Sequence, residues 1–383
     1  MGGNAGTTPG THYLGTSDDQ ALELKVNAER VLRLEPTDGT PNLVGGYSGN
    51  TVTAGVHGAV IAGGGSISDI NSVTDHYGTV GGGWSNRVGD NAGDLIDARS
   101  ATVAGGLFNY ASGAGSTIGG GAYNYASGAG STIGGGNDNH ATRSGSTVGG
   151  GSDNEASGDY SFVAGNRAKA TFNGAFVWAD SSDYNFTSLN QNTFSARATG
   201  GFLLIAGINP DSGAFTWGCA LVNGSSWTCS SDRAMKENFQ PVDSQVILDR
   251  LSRIPVQTWN AKGTNPTVKH LGPTAQDFYA AFGLGDDDKS ISTIDLDGVS
   301  LVAIQGLYKL NQEHAQAIEA LQAENTGLHD QLEDLNVRVA ALEQSSNPKS
   351  AQAWRPGYWL LSGCGMLGLT GLALRRRKDL RGL

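Results

Sequence analysis

Two side chains at a break in composition carry the first chemistry legible in this chain. Ser231 and Lys236 flank Asp232-Arg233-Ala234-Met235, where a glycine-rich stretch gives way to a helical one. A serine hydroxyl attacks a peptide carbonyl once a base takes its proton, and a lysine withdrawn from water can be that base. Five residues along one α-helix would set the two side chains about 140° apart. The pair therefore needs Ser231 on a loop or strand end, with Asp232 capping a turn that folds Lys236 back. Taken alone, the spacing is more often that of a helix N-cap followed by a solvent-facing charge.

The elements before the pair are repetitive. Of the 58 glycines in 383 residues, 45 precede Ser231 and 13 follow it. Each costs about 0.5–1 kcal/mol more than alanine to order in a regular element, so this part needs repeated stacking or subunit contacts. Val103, Ile118, Ile133, Val148 and Val163 recur every fifteen residues. Asn109, Asn124, Asn139 and Asn154 keep the same period, each followed two residues later by alanine. Less regular copies surround Val44, Ile61 and Val80, with insertions between them. Such a unit cannot bury its own face, and it reads as one coil of a β-solenoid. The aliphatic residue stacks inward, while an Asn-x-Ala turn hydrogen-bonds exposed backbone. A Gly/Ser linker would not preserve an aliphatic residue at that period. These repeats, over about residues 40–170, resemble the heads of trimeric autotransporter adhesins, which implies three chains forming parallel left-handed β-rolls.

Short strands at residues 175–178, 193–197 and 201–205 read as a β neck. Cys219 and Cys229 either form a disulfide of an exported protein or stand as free thiols on neighbouring strands. After Lys236, Asp243 and Ser244 cap a helix through Arg253, a strand follows at 256–259, and Thr274 caps a helix over 275–282 that ends at Gly283. Asp286, Asp287 and Asp288, with Asp295 and Asp297, miss the spacing of a calcium loop and read as a solvated acidic turn.

A heptad then runs through Ile304, Asn311, Ile318, Asn325, Leu332 and Val339, with a second seam at Leu307, His314, Leu321, Leu328, Leu335 and Leu342. It predicts a coiled coil about 60 Å long. Asparagine at two seam positions favours two strands by general rule, whereas a trimeric head argues for three. His314 reads as a seam residue rather than a metal ligand. Residues 358–374 are largely apolar and precede Arg375-Arg376-Arg377-Lys378, the pattern of a membrane anchor with its C-terminus inward. The start, Met1-Gly2-Gly3-Asn4, carries no signal-peptide pattern, so the chain is expected either to begin inside a longer product or to lack its true start.

The net charge of −11, with no basic stripe before the last ten residues, argues against a nucleic-acid partner. No cofactor and no metal is expected from residue spacing. The regular repeats offer few paired carboxylates, which disfavours a glycan-cleaving head.

The region from Ser231 carries ordered motifs: Ser231-Asp232-Arg233-Ala234-Met235-Lys236-Glu237-Asn238-Phe239, then residues 251–259, 270–278 and 298–307. Together, over about 231–343, they resemble the endosialidase-type intramolecular chaperone, a self-cleaving serine peptidase family found at the ends of phage tail spikes and in myelin regulatory factor. The resemblance implies a domain that assembles three chains and then cuts once on the amino side of its serine. Carried onto this chain, Ser231 is the nucleophile, Lys236 the general base and Ser230–Ser231 the scissile bond. Asp232 and Asn238 shape the turn or help the oxyanion, and His270 serves core packing, an intersubunit hydrogen bond or catalysis.

The expected fold class is mixed: a trimeric left-handed parallel β-roll head, a small α+β chaperone/peptidase domain, a trimeric coiled coil and a C-terminal transmembrane helix. The boundaries are an N-terminal segment 1–40, head 41–170, neck 171–229, chaperone/autopeptidase domain 230–303, coiled coil 304–344, linker 345–357, membrane segment 358–374 and basic tail 375–383. The expected protein is a homotrimer at the cell surface, held in a membrane through 358–374, with a host or glycan ligand for its head and no external substrate to turn over.

Overall fold

Repetition of one coil builds the first part of the molecule. The computed structural model describes residues 5–8, 10–222 and 226–346. The chain divides into one unit ending at Glu237 and another beginning at Asn238. In the first unit each coil lays a short strand into each of two sheets, so that strands pair in parallel with their counterparts one coil away. Ile118 lies opposite Ile133 in one sheet, and Ala126 opposite Ala141 in the other. All four are fully buried. Burying each aliphatic side chain contributes about 1.5–3 kcal/mol, a gain no coil obtains until its neighbour stacks on it.

The Asn-x-Ala segment is not the turn its composition suggests. Its last two residues form a strand whose alanine faces the core, and the asparagine just before them is buried as well. Asn124 Nδ2 donates to Gly120 O at 3.0 Å within its coil and to Gly136 O at 2.9 Å in the next. Its backbone N–H donates to Asn109 Oδ1 at 3.2 Å, and its own Oδ1 accepts from the Asn139 N–H at 3.1 Å. The amide side chain thus satisfies buried backbone that the short strands leave unpaired. Glycine is required beside it: Gly121 has φ 83°, and a Cβ there would collide with the carbonyl of Gly136.

The coils reach beyond the expected head. Leu22–Val26 and Glu29–Glu35 form a hairpin that joins Asn42–Gly45 in antiparallel fashion at the start of one sheet. Phe176–Ala179 and Phe194–Arg197 continue that same sheet, and Phe162, Phe176 and Phe194 stack at 4.8 and 4.7 Å. The boundary expected at residue 170 therefore moves to Arg197, because the stacking ladder persists there without the fifteen-residue spacing. Within the last coils Asp180 accepts from the Thr199 N–H and Oγ1–H, each at 2.7 Å, and pairs with Arg197 Nε at 2.9 Å. The two Thr199 bonds, with smaller help from Ser182, outweigh the cost of desolvation and hold the Asp180 carboxyl well below the usual carboxylate range.

Among its described residues the second unit holds three helices and a hairpin. Helix α1 spans Ser244–Arg253 with Asp243 as N-cap, α2 spans Ala275–Phe282 between Thr274 and a left-handed Gly283, and α3 spans Thr293–Ser345. Gln257–Trp259 pairs antiparallel with His270–Gly272. Val299, Ala303 and Gly306 are the buried positions of α3. Gly306 lets α1 approach closely, since a Cβ there would run into the Ser244 carbonyl.

The expected fold class is corrected on these grounds. The fold is a β-solenoid followed by a small helical part, and among the described residues no helix is long and apolar enough to cross a membrane. The segment 358–374, read above as a membrane helix, lies outside the described residues. The expected coiled coil is corrected too: the heptad segment is one 53-residue helix, α3, beginning eleven residues before the expected start at 304, and no second helix pairs with its heptad seam among the described residues. Its first turns pack inside the unit, while Ile318, Leu321, Leu328 and Leu335 are exposed in the single chain.

Two outcomes follow for the head. Asn124→Ala should lower the unfolding free energy by about 1–3 kcal/mol for each buried group left unpaired, measured by denaturant unfolding followed by circular dichroism; an unchanged midpoint would refute the ladder's role. Because the folded pKa of Asp180 is depressed, its contribution is complete above the ordinary value of 3.8 and is lost as pH falls through and below it. Acid unfolding of Asp180→Asn should accordingly depend less steeply on pH than that of the parent chain.

Candidate active site

The Ser231 turn grows out of a small antiparallel sheet. Phe202–Ile208, Phe215–Leu221 and Thr228–Cys229 pair in that order, and Cys219 lies opposite Cys229 in the register. The two cysteines are joined by a disulfide, which resolves the alternatives left open by their spacing. Directly after Cys229, the Ser230 N–H and Oγ–H both donate to Gly218 O, at 2.9 and 3.2 Å. The residue on the amino side of Ser231 is therefore fixed to the sheet by backbone, side chain and its covalently tied neighbour.

The chain then leaves the sheet and turns once. Asp232 caps a 3₁₀ turn over Arg233–Met235, its Oδ1 accepting from the Ala234 N–H at 2.9 Å. The Lys236 N–H closes the turn on Arg233 O at 3.1 Å, and the backbone at Lys236 is extended. This is the turn that the five-residue spacing required. It returns Lys236 to Ser231, with Nζ donating to Oγ at 2.7 Å. Both side chains are exposed in the single chain.

Asn238 and His270 belong to the second unit. Asn238 adopts a left-handed conformation with φ 57°, one that asparagine tolerates better than most residues. His270 is not a core residue: it is exposed on its hairpin strand, with its ring 4.8 Å from that of Trp259. Sequence reasoning missed Gly218 as the anchor of Ser230, because a backbone carbonyl leaves no trace in residue type. The acidic stretch behaves as expected, since Asp287 Oδ1 is occupied by the N–H groups of Lys289 and Ser290 and by the Ser290 hydroxyl.

The arrangement places a hydroxyl nucleophile, an amine within hydrogen-bond reach and an adjacent peptide carbonyl on one short segment. That set can perform acyl transfer on its own backbone. The model of the peptidase family described as chaperone of endosialidase matches residues 231–283, beginning at Ser231 itself. No curated protein matches the chain. The family match supports a trimerising, self-cleaving chaperone role for this segment and, at that coarse level, autocatalytic peptidase activity.

Alkylation without reductant should leave Cys219 and Cys229 unlabelled, and labelling after reduction should appear at both. Cys219→Ser with Cys229→Ser should destabilise the first unit by about 2–3 kcal/mol, read from chemical unfolding; labelling of Cys219 or Cys229 in the unreduced protein would contradict the bridge.

Proposed function

We propose that this chain is a surface-displayed, homotrimeric adhesin- or fibre-like protein that cuts itself once between Ser230 and Ser231. Its C-terminal chaperone region draws three chains together, and Ser231 then acts as nucleophile with Lys236 as general base. The observation that carries this reading is the 2.7 Å hydrogen bond between Lys236 Nζ and Ser231 Oγ, at the first residue of the family match.

The chemistry is an intramolecular acyl shift followed by hydrolysis. The neutral amine of Lys236 accepts the Ser231 hydroxyl proton as Oγ adds to the Ser230 carbonyl carbon through a five-membered ring. The C–N bond then breaks, and the proton held by Lys236 passes to the departing backbone nitrogen. The ester left between Ser230 and Ser231 Oγ is hydrolysed by water, giving a carboxylate on Ser230 and a free amine on Ser231. Asp232 supports the step by holding the turn, while Asn238 and His270 keep supporting roles in the assembled protein.

A lysine becomes a base when it is taken out of water, and in the single chain both partners are exposed. Neighbouring chains supply that burial, which makes cleavage follow assembly. The exposed seam of α3 supports association, since Leu321, Leu328 and Leu335 lie uncovered on one face among the described residues and another chain would cover them. The Cys219–Cys229 disulfide supports an oxidising compartment outside the cytoplasm. The head meets its glycan or host-surface ligand there, and stacked, exposed rings such as Phe108 and Tyr123, 5.2 Å apart, suit sugar faces.

Expression of the full chain should yield an N-terminal fragment ending at Ser230 and a second fragment whose new N-terminus, read by mass spectrometry, is Ser231. Ser231→Ala and Lys236→Ala should each leave the chain intact, and Leu321→Asp with Leu328→Asp should block both assembly and cleavage. An intact parent chain in isolated trimers would sink self-cleavage and leave a silent stalk that only carries the head.

A further inference from the structure

The insertion that breaks the fifteen-residue period after Val88 carries chemistry used by neither the ladder nor the Ser231 turn. Val73 pairs with Val88 in adjacent coils, so Asp75 and Asp90, each two residues further on, occupy the same position one coil apart. In the coils that follow, that position is Gly113 and then Gly128. The repeat register thus stacks two carboxylates where the next two copies place glycine. The inserted loop adds a third, Asp97, and one oxygen from each of the three lies within 4.8 Å of the others.

Three like charges this close are unfavourable unless something neutralises them. None of the three forms an ion pair among the described residues. Asp75 is only 1% exposed. Its Oδ2 accepts from Thr74 Oγ1 at 2.8 Å and from the Asp90 N–H at 3.1 Å, while Oδ1 is buried with no hydrogen-bond partner. A buried carboxylate oxygen without a partner costs about 1–3 kcal/mol or more, so a native chain that keeps one has a use for it. Room for the carboxylate is built in at Gly89, where a Cβ would collide with Asp75 Oδ2. Asp90 Oδ1 is engaged by the Ala92 N–H at 2.8 Å, which leaves its other oxygen available.

We propose that Asp75, Asp90 and Asp97 bind one calcium ion, which fastens the inserted loop to the coils beneath it. Carboxylate oxygens are hard ligands, and a separation of at most 4.8 Å is about twice a calcium–oxygen bond of ~2.4 Å. Magnesium, which demands near-ideal octahedral geometry and gives up its water reluctantly, suits a site built of three carboxylates less well. The loop is already tied to the neighbouring coil by the His76 N–H on Leu95 O and the Ser100 N–H on His76 O, both 2.9 Å. Backbone carbonyls and water complete the coordination. The contrast with Asp287 is direct, since its carboxylate accepts from three donors of its own turn.

The test is calorimetric titration of chelator-treated full-length protein with calcium chloride, paired with thermal unfolding. We expect one calcium per chain with Kd about 0.1–1 mM, a rise in unfolding temperature of the head, and a smaller response to magnesium chloride. Asp97→Asn, at an exposed side chain, should weaken binding about tenfold or more while the circular dichroism stays that of the parent. Asp287→Asn should bind as the parent does. Absence of both heat and thermal shift at about 10 mM calcium, tenfold above the weakest expected Kd, would overturn the proposal. So would an Asp97→Asn variant, folded as the parent, with parental affinity.

Discussion

Each coil of the head is held to the next by a buried asparagine that bonds in two directions along the stack. The strands are two or three residues long in most coils, too short to satisfy the backbone between them by ladder pairing alone. Asn109, Asn124, Asn139 and Asn154 complete that pairing from the inside, each bridging a glycine carbonyl of its own coil and one of the next. The glycine cluster follows from the same constraint, because the coils approach so closely that a Cβ at Gly121 has nowhere to go. Apolar burial stabilises the stack, but the amide ladder sets its spacing and makes a one-residue slip costly.

That strict register has a consequence where the sequence departs from it. A side chain in a regular repeat is brought face to face with its equivalent one coil away, so like charges at the same position of adjacent coils meet. At Asp75 and Asp90 this produces an acidic pair, and the insertion that follows adds Asp97 instead of relieving it. Elsewhere the register stacks matching aromatic rings, as with Tyr110 and Tyr125 at 5.0 Å. One geometric rule thus generates both the core and the local chemistry of the head.

At the far end of the first unit the backbone is held by covalent and hydrogen-bonded ties in place of stacking. The Cys219–Cys229 bridge and the two bonds from Ser230 to Gly218 O fix the chain up to one residue before Ser231. Only a single 3₁₀ turn separates that anchored point from Lys236. A short, rigid lead-in of this kind narrows the positions open to a flexible lysine, which loses much rotamer freedom when held in one place. In the second unit, Gly306 and Ala303 pack the start of α3 closely against α1, while the later heptads present leucine to solvent.

Much of this was legible in the chain itself. A fifteen-residue period of aliphatic, glycine and asparagine positions determines a solenoid, because stacking is the only way such units bury a core. The caps at Asp243 and Thr274, the stop at Gly283 and the long heptad determine the helices, since those signals are local. Asp232 between Ser231 and Lys236 likewise announced a capped turn. Tertiary structure alone decided that the asparagines point inward, that coils continue to Arg197 after the period lapses, and that Gly218 anchors Ser230. It also decided that Asp97 meets Asp75 across twenty-two positions of chain. These depend on which backbone lies one coil or one strand away, and residue type at a single position does not encode the identity of its neighbour in space.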